Sequence, residues 1–316
     1  MAQDPSTDIL DHIVHLSPPG SLQSTVETWQ KLGFNVTPGG THADGLTENA
    51  LVAFKDGTYI ELISFTHPLS DYPLNSPSRH ARESHPWAKK EAGFIDFAFL
   101  GNDGDPSIAG IINRRAAESK EGVKLRYANE LRGGRTRVDG EKLEWLITAP
   151  EQDPVEELVE EEPVFSKGAG DVRGRLPFFC GDLTPRRLRV PHESGEITHS
   201  NHAIGIDYVR LLTSREDLPA LFDQFAIVTG SPSTTTNLDS NPDSRVLHLH
   251  SPTSDSSSQR VIELRISTPT GDGEISWLQT RGAGIYELGI RGEGSQESFT
   301  PFVKLVWVDG IDIHEV

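Results

Sequence analysis

The chain has 316 residues, of which 35% are apolar, and a formal net charge of −18 at pH 7. This length allows two compact units. The excess of carboxylates argues against nucleic acid as a partner, because affinity for nucleic acid rests on neutralising phosphates with Lys and Arg. The single cysteine, Cys180, excludes an internal disulfide framework and favours a reducing compartment.

The N-terminal residues 1–9 contain no apolar run, so we expect no secretory signal. No stretch of about 18 consecutive apolar residues occurs elsewhere in the sequence, which is the length that a membrane-spanning helix needs. The sequence therefore predicts a cytoplasmic protein with no membrane partner.

The first 65 residues predict a β-α-β-β-β unit. Residues 10–16 alternate between apolar and polar, as a strand does. A helix follows at Ser21–Leu32, where the apolar residues have helical spacing, and Gly33 stops it at the usual C-terminal position. Three more strands complete the unit, and a hairpin turn is expected at Asp56-Gly57. These strands are predicted at 34–36, Ala50–Phe54 and Thr58–Phe65.

The same order of elements returns three more times, and such a repeat is more informative than any single segment. The closing strands of copies one to three share a glutamate between apolar residues, and the opening strands share an apolar-Asp pair. The predicted elements are Ile95–Phe99, Ile108–Lys120 and Leu143–Ile147 in copy two, Ile206–Val209, Arg215–Phe225 and Val261–Ile266 in copy three, and Ile285–Leu288 and Lys304–Val308 in a shorter copy four.

This repeat predicts an α+β fold in which βαβββ modules pair into half-open barrels of mixed β-sheet. Copies one and two occupy residues 1–150, and copies three and four occupy residues 199–316. Residues 151–198 are interpreted as an acidic, Pro- and Gly-rich connection with a short strand, and residues 229–259 as a Ser/Thr-rich loop inside copy three. Because modules within one chain can pair with each other, the chain is expected to be a monomer or a homodimer.

Two side chains of copy one point to metal chemistry. His12 on the first strand and Glu61 on the last are each embedded among apolar residues of one strand face. Burying either without a partner costs several kcal/mol. A shared divalent ion (Zn, Fe, Mn, Ni or Co) would satisfy both, since imidazole and carboxylate suit these metals. A His–Glu hydrogen bond, or an exposed strand face, is the alternative explanation.

Several segments together resemble the glyoxalase-like domain of the vicinal oxygen chelate superfamily. They are LDHIVHL, GFNVTPGGTHADGLTENALVAF, GTYIELISF, GFIDFAF, LPFFCGD and THSN, and they cover roughly residues 9–210. The resemblance implies paired modules whose first-strand His and last-strand Glu hold a divalent metal. The metal chelates two neighbouring oxygens of a small-molecule substrate and stabilises the charge that develops on it. Carried over to this chain, the metal ligands are His12 and Glu61.

The later copies depart from this pattern. Phe97 and Tyr208 stand where His12 stands in copy one. A complete site therefore needs a further group, for which His199 is a candidate metal ligand and Glu144 and His42 are candidate catalytic residues or ligands. Each of these three could instead be an ordinary surface or loop residue.

Two other features are weighed against this site. His248 and His250 share a strand face, and Glu263 follows on the next strand, which is a ligand spacing found in oxygenases of other folds. A hairpin with its polar face in solvent is the alternative. Residues 132–137 form a basic turn that could meet an anionic ligand or could balance the acidic surface. Phosphate-loop, dinucleotide-loop, Cys-x-x-Cys and nucleophile-elbow motifs are absent from the sequence.

The favoured interpretation is a metal-dependent enzyme of isomerase or lyase type that acts on a small carbonyl or vicinal-oxygen substrate. An Fe(II)-dependent extradiol-type dioxygenase is the nearest rival, and it requires two histidines and one carboxylate. A metal-free small-molecule binding protein of the bleomycin-resistance type is the alternative from another class.

Overall fold

The computed structural model describes residues 4–119, 123–137, 139–151, 173–231, 242–253 and 260–293, and the backbone of 303–307 and 311–315. The described elements form two mixed sheets of eight and six strands, with helices packed on them. The predicted α+β class and the pairing of βαβββ modules are confirmed.

The first module follows the predicted order. Its elements are β1 (Leu10–Ser17), α1 (Leu22–Lys31), β2 (Thr37–Thr41), β3 (Thr47–Ala53) and β4 (Tyr59–Phe65). Gly33 has a φ of 85°, in the left-handed region that favours glycine, as expected after the end of α1. A short 3-10 helix at Leu69–Asp71 and α2 (Pro77–Glu83) lead to the second module.

The second module mirrors the first across an antiparallel pair of central strands. Its elements are β5 (Gly93–Leu100), α3 (Ile108–Glu118), β6 (Leu131–Thr136), β7 (Lys142–Thr148) and β8 (Phe178–Asp182). The strand order is β2-β3-β4-β1-β5-β8-β7-β6, so β1 lies beside β5 at the centre. The outer strands β2 and β6 approach each other through a bridge between His42 and Arg135. The sheet thereby curves into a nearly closed barrel.

The closing strand of the second module differs from the sequence expectation. Residues 143–147 were expected to close copy two, but β7 is its third strand, and β8 pairs in parallel with β5 as β4 does with β1. Glu144 on β7 is therefore not the counterpart of Glu61. On β8 the side chains that line the barrel interior are those of Phe178 and Cys180.

The second sheet is built from copies three and four. The short helix α4 (Arg186–Arg189) precedes them. In chain order their elements are β9 (Ala203–Leu212), α5 (Leu218–Thr229), β10 (Ser244–His250), β11 (Val261–Ser267), α6 (Asp272–Arg281), β12 (Gly284–Gly292), β13 (Val303–Trp307) and β14 (Ile311–Glu315). The strand order is β10-β11-β9-β12-β13-β14. Central strands β9 and β12 are antiparallel, as β1 and β5 are in the first sheet.

One apolar cluster joins the two sheets. It includes Trp29 of α1, Phe97 of β5 and Phe225 of α5, all 0% exposed. The rings of Phe97 and Phe225 stack with their centroids 6.2 Å apart. Burying a side chain of this size stabilises the fold by about 2–3 kcal/mol. Phe97 thus faces the shared core, and Ala98 is the β5 residue that pairs with His12 and lies on the barrel-interior face.

Some sequence expectations fall outside the described residues. They are nearly all of the acidic run between Glu151 and Glu162, and the parts of the Ser/Thr-rich loop at 232–241 and 254–259. In the described part of the chain, no helix is long and apolar enough to cross a membrane.

The hairpin turn between β3 and β4 contacts β9 through a buried carboxylate. The backbone N–H of Asp56 donates to the Ile204 carbonyl, and Asp56 Oδ1 accepts from the N–H and hydroxyl of Thr58. Oδ2 is also buried, and a Cβ on Gly205 would lie 2.1 Å from it. Burial, only partly offset by these hydrogen bonds, raises the pKa of Asp56 to about 6.

Acidification is therefore expected to stabilise the fold through Asp56. Its folded pKa is raised, so its contribution is complete below the unfolded value near 3.9 and is lost as the pH rises through about 6. Each pKa unit corresponds to about 1.4 kcal/mol. Between pH 7 and pH 4, wild type should gain roughly 2 kcal/mol relative to Asp56→Asn in urea unfolding. The exposed Asp103→Asn control should follow wild type, and parallel pH profiles for wild type and D56N would contradict the assignment.

Candidate functional site

The first sheet encloses a cavity of about 670 Å³. It opens between the seam of β2 and β6 and the central strands β1, β4 and β8. Its apolar lining includes Leu51, Tyr59, Trp87, Trp145 and Phe178. A volume of this size accommodates a small organic ligand.

His12 and Glu61 face each other in this cavity, as the strand alternation predicts. His12 Nε2 lies 3.8 Å from Glu61 Oε2, and the exposed fractions of the two residues are 3% and 7%. The parallel pairing of β1 and β4 places Val14 directly opposite Glu61, which brings His12 of the same strand face within reach. The His12 ring stacks on Tyr59, with the ring centroids 4.6 Å apart.

Asp11 fixes the orientation of the His12 ring. Asp11 Oδ2 lies 2.8 Å from His12 Nδ1. Burial alone would raise the pKa of Asp11, but Arg186 and Arg189 beside it hold that pKa well below its usual range. An ionised carboxylate can only accept a hydrogen bond, so Nδ1 carries a proton and Nε2 is the ring nitrogen that lies toward Glu61.

The ions around Asp11 form a buried network at the end of β8. Arg189 Nη1 lies 3.1 Å from Asp11 Oδ2 and donates to the Tyr59 hydroxyl at 2.6 Å. Arg189 Nε and Nη2 donate to the two oxygens of Asp182 at 2.6 and 2.9 Å. Arg186 forms a second ion pair with Asp11. The network joins α4 to β1, β4 and β8 directly behind His12.

His42 brings a second imidazole to the same carboxylate. It lies in the loop after β2, and its Nε2 is 3.8 Å from Glu61 Oε1. Its Nδ1 is 2.6 Å from the Thr47 hydroxyl, which leaves Nε2 directed at Glu61. Burial lowers the pKa of His42, partly offset by Glu61 and Asp44. The ring is therefore neutral near pH 7, as a metal ligand must be.

Asn49 holds the carboxylate between the two rings. Its Nδ2 donates to Glu61 Oε1 at 2.5 Å from the neighbouring strand β3. Gly39 makes room for this side chain, because a Cβ there would lie 2.0 Å from Asn49 Oδ1. Gly39 therefore serves the site through close packing, and Pro38-Gly39-Gly40 lies within strand β2 rather than in a turn.

The other two candidates from the sequence do not join this group. His199 is absent from the cavity lining: its Nδ1 accepts from the Asn35 N–H at 2.9 Å, and its Nε2 lies 3.0 Å from the Ala53 carbonyl oxygen. It packs between the rings of Phe34 and Phe54, so the structure places it apart from His12 and Glu61. Glu144 lines the cavity mouth, where its side chain is 56% exposed and its Oε1 lies 3.9 Å from Arg132 Nη1.

The competing histidine pair is also dispersed. His248 is exposed, and His250 Nε2 lies 3.8 Å from Asp8 Oδ2. Glu263 accepts from Arg265 Nε at 2.7 Å. His250 and Glu263 are therefore engaged in separate ion pairs, and His248, although opposite Glu263 in the sheet, is exposed to solvent, in agreement with the hairpin explanation.

The side chains of His12, His42 and Glu61 offer the donor atoms that a divalent metal binds. In the described ranges, no three His, Cys, Asp or Glu side chains already form a metal-holding group. Yet each Nε2–carboxylate separation of 3.8 Å is below twice a Zn–ligand bond of about 2.0–2.2 Å, so one ion can contact both atoms of each pair. Both Nδ1 atoms have outer partners, as metal-bound histidines do. The donor types of His12, His42 and Glu61 therefore suit a divalent metal, and each imidazole lies close enough to one Glu61 oxygen to share an ion with it.

Comparison with known proteins agrees with the fold. The profile described as "Glyoxalase-like domain" matches residues 10–223. A hypothetical protein from Staphylococcus aureus superposes with a TM-score of 0.57 at 13% identity, over 97% of this chain and 98% of that one. A mutant 4-hydroxymandelate synthase from Streptomyces coelicolor gives a TM-score of 0.49 at 10% identity, over 90% and 71% of the two chains. No curated protein matches the sequence.

These findings define a protein of paired βαβββ modules with a polar cluster inside one barrel. The chain belongs to the family of the glyoxalase-like domain.

Proposed function

We propose that this chain is a metal-dependent enzyme that acts on a small carbonyl or vicinal-oxygen substrate in an isomerase or lyase type of reaction. The convergence of His12 Nε2 and His42 Nε2 on the two oxygens of Glu61 carries the proposal. These three side chains would hold a divalent ion, which supplies polarisation of the substrate oxygens when bound.

The surrounding residues prepare the site for this chemistry. Asp11 and Thr47 orient the two imidazoles, and Asn49 orients the carboxylate. The indoles of Trp87 and Trp145 make part of the cavity wall apolar, which strengthens electrostatic interactions beside them.

Glu144 is the proposed proton acceptor, because it lines the same cavity from the opposite strand β7. Removing a general base typically lowers turnover by about 10²–10⁴-fold. We therefore expect Glu144→Gln to lower kcat by about 100-fold at an unchanged metal content. Glu141→Gln, an exposed change in the preceding turn, is the control. Full turnover by E144Q would assign the proton transfer to another group.

Elemental analysis of the purified chain tests the proposal. We expect about one equivalent of a transition metal in wild type, and none in a His12→Ala/Glu61→Ala double variant whose fold is verified by circular dichroism. Absence of metal from both, even after incubation with Zn, Mn, Fe or Ni, would refute the metalloenzyme proposal.

An Fe(II)-dependent extradiol-type dioxygenase is a second candidate. The approach of His42 to Glu61 favours it, because two histidines and one carboxylate are the ligand set of non-haem Fe(II) oxygenases. Oxygen uptake with catechols by the Fe(II)-loaded protein would select this reaction over isomerisation. Proton exchange into a hydroxyketone without oxygen uptake would select the isomerase.

A metal-free binding protein is supported by the second module. On the face that bears His12 and Glu61 in the first module, β5 and β8 present Ala98, Phe178 and Cys180. Burial raises the pKa of the Cys180 thiol to about 12, so it stays protonated and is a poor ligand. Ligand binding by a chain without metal would favour this function.

A further inference from the structure

The cavity lining differs in charge from the rest of the chain. Four cationic side chains and three carboxylates line it, an excess of one cation in a chain with a net charge of −18. The carboxylates are Asp44, Glu61 and Glu144, and the cations are Arg132, Arg135, Lys142 and Arg189. Cations concentrated in a cavity of an acidic protein favour an anionic ligand there.

Arg135 is the buried cation of this set whose guanidinium has a donor without a hydrogen-bond partner. It lies on β6 at the seam with His42 and is 5% exposed. Its Nη2 donates to the Arg189 carbonyl at 3.3 Å, whereas its Nη1 is buried without a hydrogen-bond partner. No carboxylate in the described part of the chain forms an ion pair with it within 4.0 Å. A buried charged donor without a partner is costly, so an acceptor that reached this guanidinium would be stabilised by it.

The other cations are less suited to this role. Arg189 donates to Asp11, Asp182 and Tyr59, so its donors are engaged. The side chain of Arg132 is 71% exposed at the cavity mouth, and Lys142 is also exposed. Exposed charges contribute little to affinity because water and salt screen them.

We propose that Arg135 binds the carboxylate of an organic acid whose apolar body lies against Trp87, Trp145 and Phe178. Arginine binds carboxylates in a planar, two-pronged geometry. Arg135 lies beside His42, so the carboxylate would bind next to the His12–His42–Glu61 group. This inference rests on the proposed function for the reaction and names its substrate class as an organic acid with an apolar body. The binding step itself needs no metal.

Calorimetry on the full chain after treatment with EDTA tests this inference, with benzoate and the uncharged benzamide as probes. We expect benzoate to bind about tenfold or more tightly than benzamide, the ratio typical of a hydrogen bond to a charged group. Arg135→Gln should abolish this preference and Arg135→Lys should retain part of it. Arg126→Gln, an exposed change outside the cavity lining, should leave it unchanged.

The wild-type preference does not depend on whether any variant folds. The inference would be overturned if wild type bound the two probes equally, or if it bound no benzoate up to about 10 mM. It would also be overturned if a folded R135Q kept the full preference for benzoate. Because metal is absent throughout, a benzoate preference in a chain that never takes up metal would refute the metalloenzyme proposal and leave the carboxylate site standing.

Discussion

Replacing His42 by alanine is expected to lower the affinity for divalent metal by about 100-fold or more, whereas His199→Ala should leave that affinity unchanged. Loss of an outer-shell partner alone costs about 10–100-fold, and His42 presents its Nε2 directly to Glu61. Competition with a chromophoric chelator at pH 7.5 measures this difference.

His199→Ala serves as the matched control, because His199 is also a buried neutral histidine. Its removal leaves the Asn35 N–H without an acceptor, so we expect a loss of about 1–3 kcal/mol in unfolding free energy. Metal loss in H199A with retention in H42A would reverse the assignment of the third ligand.

Asp11→Asn is expected to destabilise the fold by about 3–5 kcal/mol, because it removes one of the carboxylates that neutralise the buried Arg189 guanidinium. The pKa of Asp11 is depressed in the folded state, so the stabilisation is present above the unfolded value and is lost as the pH falls through the folded one. Urea unfolding followed by tryptophan fluorescence at pH 7 measures the loss.

The exposed Asp71→Asn is the control for this change and should remain within about 0.5 kcal/mol of wild type. A D11N variant as stable as D71N would show that the buried network makes no net contribution to the free energy of unfolding. Orientation of His12 depends on the same carboxylate, so D11N should also weaken metal binding about 10–100-fold.

The repeat was readable from the sequence because each module repeats the same order of strand, helix and hairpin. The apolar-Asp pair of the opening strands has a structural counterpart: Asp11, Asp96 and Asp207 are all buried, and each pairs with arginine. The Asp–Arg pairing itself was not readable, since the arginines are distant in sequence. Arg189, for example, follows Asp11 by 178 positions.

The strand β8 was misplaced because the chain separates it widely from β7. The sequence places an acidic, Pro- and Gly-rich stretch after Ile147, which is a reasonable end for a module. Only the sheet pairing shows that Phe178–Asp182 completes the barrel. Long-range strand pairing depends on burial and hydrogen bonding across the sheet, and the periodicity within one segment contains no information about either.

Half of the candidate site followed from strand alternation and half did not. His12 and Glu61 lie in regular strands, where a period of two fixes the face. His42 lies in a loop, and the sequence could not rank it against His199. Asn49 was missed because a single amide in an apolar strand has no distinctive spacing, and its role depends on contact with Glu61.

Anomalous diffraction from crystals grown with one equivalent of Mn or Zn tests the central claim most directly. The account predicts one peak at the metal edge within bonding distance of His12 Nε2, His42 Nε2 and the Glu61 carboxylate, at about 2.0–2.2 Å for zinc. A peak at any other site with none at this one, or no peak in crystals of a folded, metal-treated chain, would contradict it.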